Sequence, residues 1–136
     1  MSKPAERVDG WVAQLRRGSL ELAILAALWG GRRYGIEIIR IVKEKCDLDV
    51  AEGTVYPILS RLKAEGYLDS EWIDAETGHP RKYHWLTTEG RIRAKSVAEM
   101  WVRFTQSLDS VVRPVLQDDS AQDPDPEQDV GQRIAQ

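Results

Sequence analysis

The chain holds one cysteine, one phenylalanine and two histidines among 136 residues. A single thiol, Cys46, excludes an internal disulfide framework and suits a reducing, cytoplasmic setting. One thiol and two histidines without ligand spacing, His79 and His84, fall short of a zinc site, so no metal or other cofactor is expected. Long hydrophobic runs are also absent. The longest near-apolar stretch, Leu20 to Trp29, is interrupted by Glu21 and is too short to cross a bilayer, so no membrane partner is expected. No basic-then-apolar leader is apparent, because Asp9 and Gly10 interrupt it early. There is no Gly-rich phosphate loop, metal triad or nucleophile–base pair in a suggestive spacing, which makes an enzyme the least favoured class.

What is present suits one soluble domain: 42% hydrophobic residues, enough for one core, and 30% charged residues. The net charge of −3 hides a division. Residues 114–136 carry six acids (Asp118, Asp119, Asp123, Asp125, Glu127, Asp129) against Arg133, a net of −5. The remaining 16 acids and 18 bases leave residues 1–113 at +2, a mildly basic body that permits a nucleic-acid partner.

Apolar spacing gives the elements. Val8, Trp11, Val12 and Leu15 predict a short amphipathic helix over about Ala5 to Arg16, broken at Gly18. Ser19 is placed to cap a second, central helix to Trp29, stopped by Gly30-Gly31. A third runs from Tyr34 to about Lys45. Val55, Ile58, Leu59 and Leu62 predict a fourth, starting at or just before Thr54 and ending at Gly66. Pro57 is tolerable there only near the first turn. Tyr67 to Ile73 and Arg81 to Thr87 read as two strands joined by the turn chemistry of Asp74 to Pro80. Thr87 or Thr88 then caps a last helix, in which Val97, Trp101, Phe104, Leu108 and Val111 form a heptad seam, ended by Pro114. Acid-rich and nearly free of large apolar residues, 117–136 reads as disordered.

The fold class is therefore mainly α with a small β-hairpin: a winged helix-turn-helix plus a long C-terminal dimerisation helix. The expected organisation is an N-terminal amphipathic helix (1–18), a winged-helix unit (19–87), the dimerisation helix (88–116) and the acidic tail (117–136). In such a unit the second helix of the pair enters the major groove of double-stranded DNA. The non-core face of that helix carries Thr54, Tyr56, Pro57, Ser60, Arg61 and Lys63, and the hairpin carries His79, Arg81 and Lys82. The seam residues, with Trp11 from the N-terminal helix, predict a homodimer.

The string Glu52-Gly53-Thr54-Val55-Tyr56-Pro57-Ile58-Leu59-Ser60-Arg61-Leu62, then Glu65-Gly66-Tyr67-Leu68, resembles the recognition helix of PadR-family transcriptional regulators. Tyr34-Gly35 opening the preceding helix is similar too, as is Gly78 to Leu86 running into Thr87-Thr88-Glu89-Gly90. The resemblance covers about residues 19–113. It implies a homodimeric winged-helix protein, in most cases a bacterial repressor, dimerising through its last helix, with Tyr34 added to the DNA contacts. Some members bind small, often aromatic, molecules at the dimer centre. The single C-terminal helix resembles the short subfamily. Tyr83-His84 departs from the two aromatic residues common after the wing lysine, and the acidic tail has no family counterpart.

Each assignment has a plainer rival. Arg81 and Lys82 suit a solvated turn as well as a phosphate, and Arg61 is spaced to pair with Glu65. Tyr56 either packs on the helix pair or touches DNA. His79 and His84 read as wing surface, and Cys46 as a half-buried helix end. Trp101 is a seam filler or, with its two-fold mate, a slot for a planar aromatic effector. Arg32 or Arg33 adds a phosphate contact. The rival function is a winged-helix protein–protein interaction module that does not bind DNA.

Overall fold

The first helix, α1 (Pro4–Ala27), starts on a proline, whose missing N–H costs nothing at a helix start. It corrects the expected pair of helices. The chain stays helical through Gly18, around which a Cβ would meet nothing within 4 Å. An isolated glycine costs only about 1 kcal/mol of propensity there. Ser19 is not a cap: its hydroxyl donates back to the Leu15 carbonyl at 2.7 Å, a bond the helix interior provides. The C-terminal half of α1 buries Leu20, Ile24, Leu25 and Ala27, with Leu28 just beyond its end. The computed structural model describes residues 4–119 except 75 and 77. The expected disorder of the tail falls, from residue 120 onward, outside the described residues.

A two-residue strand that spacing did not indicate, β1 (Arg33–Tyr34), precedes α2 (Gly35–Cys46). Tyr34 is the residue before the helix, and its N–H donates to the Glu37 carboxylate at 3.2 Å. Ile38, Ile39 and Val42 face the core. The helix stops at Asp47, a left-handed residue at φ 53°. Cys46 beside it is exposed, correcting the half-buried expectation; the apolar face of α2 is the Ile38–Val42 side.

Helix α3 (Glu52–Ala64) buries Val55, Leu59 and Leu62. It closes by the N–H of Tyr67 donating to the Leu62 carbonyl at 2.9 Å and that of Gly66 to the Lys63 carbonyl at 3.0 Å. Gly66 adopts φ 87°, which this closure requires. Strands β2 (Leu68–Ile73) and β3 (Arg81–Leu86) pair antiparallel, with Leu68 opposite Leu86 and Ile73 opposite Arg81. Because β1 pairs with the other edge of β3, the sheet has three strands in the order β1-β3-β2. His84 sits in that central strand and is 6% exposed, a correction of the surface position expected for it.

Helix α4 (Thr88–Gln117) begins on a knot of hydrogen bonds. The Thr87 hydroxyl accepts from the Gly90 N–H at 3.0 Å and donates to the Gly66 carbonyl at 2.6 Å. Pro114 does not end α4, which continues to Gln117. The carbonyl that proline leaves without its helical N–H partner is that of Ser110, an exposed residue, so it stays open to solvent and the helix tolerates the loss.

The chain divides into two compact units, Met1–Met100 and Trp101–Gln136. The first holds the core and the sheet. The described part of the second is the C-terminal stretch of α4, on which Phe104 and Val111 are 61% and 69% exposed.

Candidate nucleic-acid interface

Between the N-terminus of α2, helix α3 and the hairpin lies an open cleft of about 450 Å³. Tyr34, Gly35 and Ile36 form one wall, Tyr56, Leu59 and Ser60 the second, and Trp72, Pro80, Arg81, Lys82 and His84 the hairpin side. Of the residues expected to touch DNA, this places Tyr34, Tyr56, Ser60, Arg81 and Lys82 around one concavity. Thr54 and Pro57 are exposed on α3, and His79 is exposed in the hairpin turn, all outside the cleft lining.

Aromatic rings position the cations. The Arg81 guanidinium lies over the Tyr34 ring at 4.6 Å, and Tyr34 meets Tyr83 edge-on at 5.8 Å. The Lys82 ammonium sits 5.8 Å from the Trp72 ring centre, its register partner on β2. Arg32 stacks over Trp85 at 4.1 Å, while Arg33 donates from Nε to the Ala27 carbonyl at 2.7 Å, tying β1 to the end of α1. His84 is neutral at physiological pH: burial, then the charges of Lys82 and Lys63, lower its pKa to about 4.

Arg61 and Lys63 are engaged within the chain. Lys63 donates to the Ser70 hydroxyl at 2.7 Å. Arg61 donates to both Glu65 carboxylate oxygens, at 3.1 and 3.2 Å, and lies 3.5 Å from the Glu21 carboxylate on α1. The hydrogen bond to Glu65 leads the causes that raise the Arg61 pKa.

Sequence reasoning missed Ile36 and Trp72, which are 51% and 65% exposed beside the cleft. The available signal for Trp72 was strand register, which sets it opposite Lys82. Of the seam residues, Val97 is half-buried, Trp101 and Leu108 are 41% and 47% exposed, and Trp11 on α1 is 61% exposed. No described helix is long and apolar enough to cross a membrane.

A helix pair followed by a hairpin whose cations converge beside the second helix defines a winged helix-turn-helix protein. Residues 24–96 match the sequence profile of the transcriptional regulator PadR-like family. The chain belongs to that family and is, on that ground, a transcriptional regulator. It is similar to the PadR family transcriptional regulator of Eggerthella lenta DSM 2243, at 28% identity over 79% of this chain and 94% of that one, with a TM-score of 0.71. It is also similar to a transcriptional regulator from Clostridium thermocellum, at 31% identity over 73% and 98% of the two chains, with a TM-score of 0.65. An uncharacterized protein of Lysinibacillus sphaericus is 25% identical over 68% of this chain and 87% of its own length.

Proposed function

We propose that the protein is a homodimeric repressor that binds double-stranded DNA through α3 and the hairpin and responds to a small planar aromatic molecule. The observation carrying this reading is the cleft, where Arg81 and Lys82 stand on aromatic rings beside the exposed face of α3. Arg81, Lys82 and the nearby Arg32 or Arg33 supply phosphate contacts and most of the affinity; Lys63 joins them by exchanging Ser70 for phosphate. Tyr34, Thr54, Tyr56, Pro57 and Ser60 read the groove, with Arg61 beside them and His79 at the wing tip. The seam of Val97, Trp101, Phe104, Leu108 and Val111, with Trp11, joins two copies. A two-fold dimer then reads a pseudo-palindrome with half-sites about 34–36 Å apart.

The test is binding of the full chain to duplexes from its own upstream region across a salt series. Arg81→Ala with Lys82→Ala weakens binding to every sequence and reduces the salt slope by about two. A folded double variant with unchanged affinity and slope overturns the wing assignment.

The exposed Ile36, Tyr56 and Trp72 favour a second reading, a protein-binding module, because an apolar patch on the contact face suits a protein partner. Wild-type protein that binds no duplex even at low salt decides for it.

A further inference from the structure

The structure assigns Glu21 a role in DNA binding: it is a positioning residue that holds the Arg61 guanidinium in reserve and exchanges it for a backbone phosphate. This rests on the DNA-binding reading above. Glu21 lies on α1, outside the helix pair and the wing, yet its carboxylate receives one arginine from α3 and another from α4. Arg61 Nη2 is 3.5 Å from one oxygen and Arg93 Nη2 is 3.9 Å from the other.

Three features make this an exchange rather than a fixed strut. First, the Glu21 oxygen facing Arg61 is buried and lies 3.5 Å away, too long for a well-formed hydrogen bond, so the pair is held mainly by charge. A phosphate offers Arg61 charge and paired hydrogen bonds together, the stronger arrangement. Second, the Arg61 side chain is 48% exposed and that of Glu21 26%, so phosphate can reach the arginine while the carboxylate stays sheltered. Third, Arg93 remains beside Glu21 when Arg61 leaves. The half-buried carboxylate is therefore never left without a cation, which is the usual obstacle to breaking such a pair. With Glu65 also on Arg61, the free protein shows almost none of this arginine's charge to distant phosphates. Non-specific attraction is held down until the duplex is in place.

The experiment measures duplex affinity of the full chain by fluorescence anisotropy over a salt series. The proteins are wild type, Glu21→Gln, Arg61→Ala, the double variant, and Glu44→Gln. Glu44 makes no ion pair among the described residues, so its variant controls for a general gain of positive charge. Glu21→Gln tightens binding by roughly three- to tenfold with little change in the salt slope, because both complexes neutralise the same phosphates, and Arg61→Ala abolishes the gain and flattens the slope by about one. An effect no larger than that of Glu44→Gln, or one that persists without Arg61, overturns the proposal while leaving DNA binding intact. If wild type binds no duplex, the DNA-binding reading itself fails. Urea melts accompany each variant. Should Glu21→Gln lose stability, Glu21→Asp, which withdraws the carboxylate from Arg61, must tighten binding in the same direction, and its failure to do so overturns the proposal.

Discussion

Gly35 and Tyr56 are in a contact that leaves no room for a side chain. A Cβ on Gly35 would lie 2.7 Å from the Tyr56 ring and its hydroxyl oxygen. The glycine lets the ring lie against the start of α2 and still line the cleft at 40% exposure. Both roles open to Tyr56 from sequence thus meet in one placement: it packs on the helix pair, and it is available to a partner. Gly35→Ala pushes the ring outward. Because the ring can move, the stability cost is about 1–2 kcal/mol. Duplex affinity falls roughly tenfold, about 1.4 kcal/mol, as the cleft is obstructed. Wild-type affinity in the folded variant would show that the ring position does not matter for binding.

Two helical glycines separate by sign. A Cβ on Gly90 would lie 1.8 Å from the Tyr67 carbonyl oxygen, a backbone atom that cannot swing away. Gly90→Ala must lift α4 from the Gly66–Tyr67 turn and break the Thr87 hydrogen bond to Gly66. A net loss of about 2–4 kcal/mol is expected, after a propensity gain of about 1. Gly18 has open space around it, so Gly18→Ala gains up to about 1 kcal/mol. Urea denaturation of the two variants measures both, and equal shifts would refute the account.

These elements also show where sequence stopped being informative. The spacing of Val55, Leu59 and Leu62 revealed α3 because helix burial repeats locally. Strand β1 has two residues and no period to detect. A two-stranded wing leaves β3 as an edge and His84 on the surface, whereas the third strand makes β3 central and buries the imidazole. A glycine followed by a serine reads as a break and a cap, but Ser19 can equally bond backward into the turn before it. Arg61 and Glu65 are four apart and were legible as a pair. Glu21, forty residues from Arg61 along the chain, is brought there only by the packing of α1 against the rest.

His84 makes stability depend on pH. Its folded pKa of about 4 lies below the ordinary 6.5, so the unfolded chain takes up a proton first as pH falls. The contribution of the neutral ring is complete above about pH 6.5 and is lost progressively toward pH 4. At 1.36 kcal/mol per unit, the loss reaches about 2 kcal/mol at pH 5 and about 3 at pH 4. Carboxylates titrate in the same window, so the measurement is the difference between wild type and His84→Gln. The variant lacks this part of the slope. Parallel pH profiles would show that the imidazole is not held neutral.

Trp101 begins the second unit, 41% exposed and four residues after Val97 on the seam. In a two-fold dimer built on that seam both indoles approach the axis. Two facing rings form a slot for a planar apolar or cationic molecule. Leu108→Asp places a charge within the same seam, and sedimentation should show monomers or aggregates without duplex binding. Micromolar monomers of wild type would remove the basis for the slot altogether. Given a dimer, Trp101→Ala decides between slot and filler. In the slot reading the variant stays dimeric and loses most of the saturable tryptophan quenching by planar aromatic compounds. In the filler reading it destabilises the dimer by roughly 3–5 kcal/mol, the scale of truncating a buried aromatic, and no planar compound binds either protein. The chain has five tryptophans, so quenching in wild type alone decides nothing, and the comparison must be made against the variant.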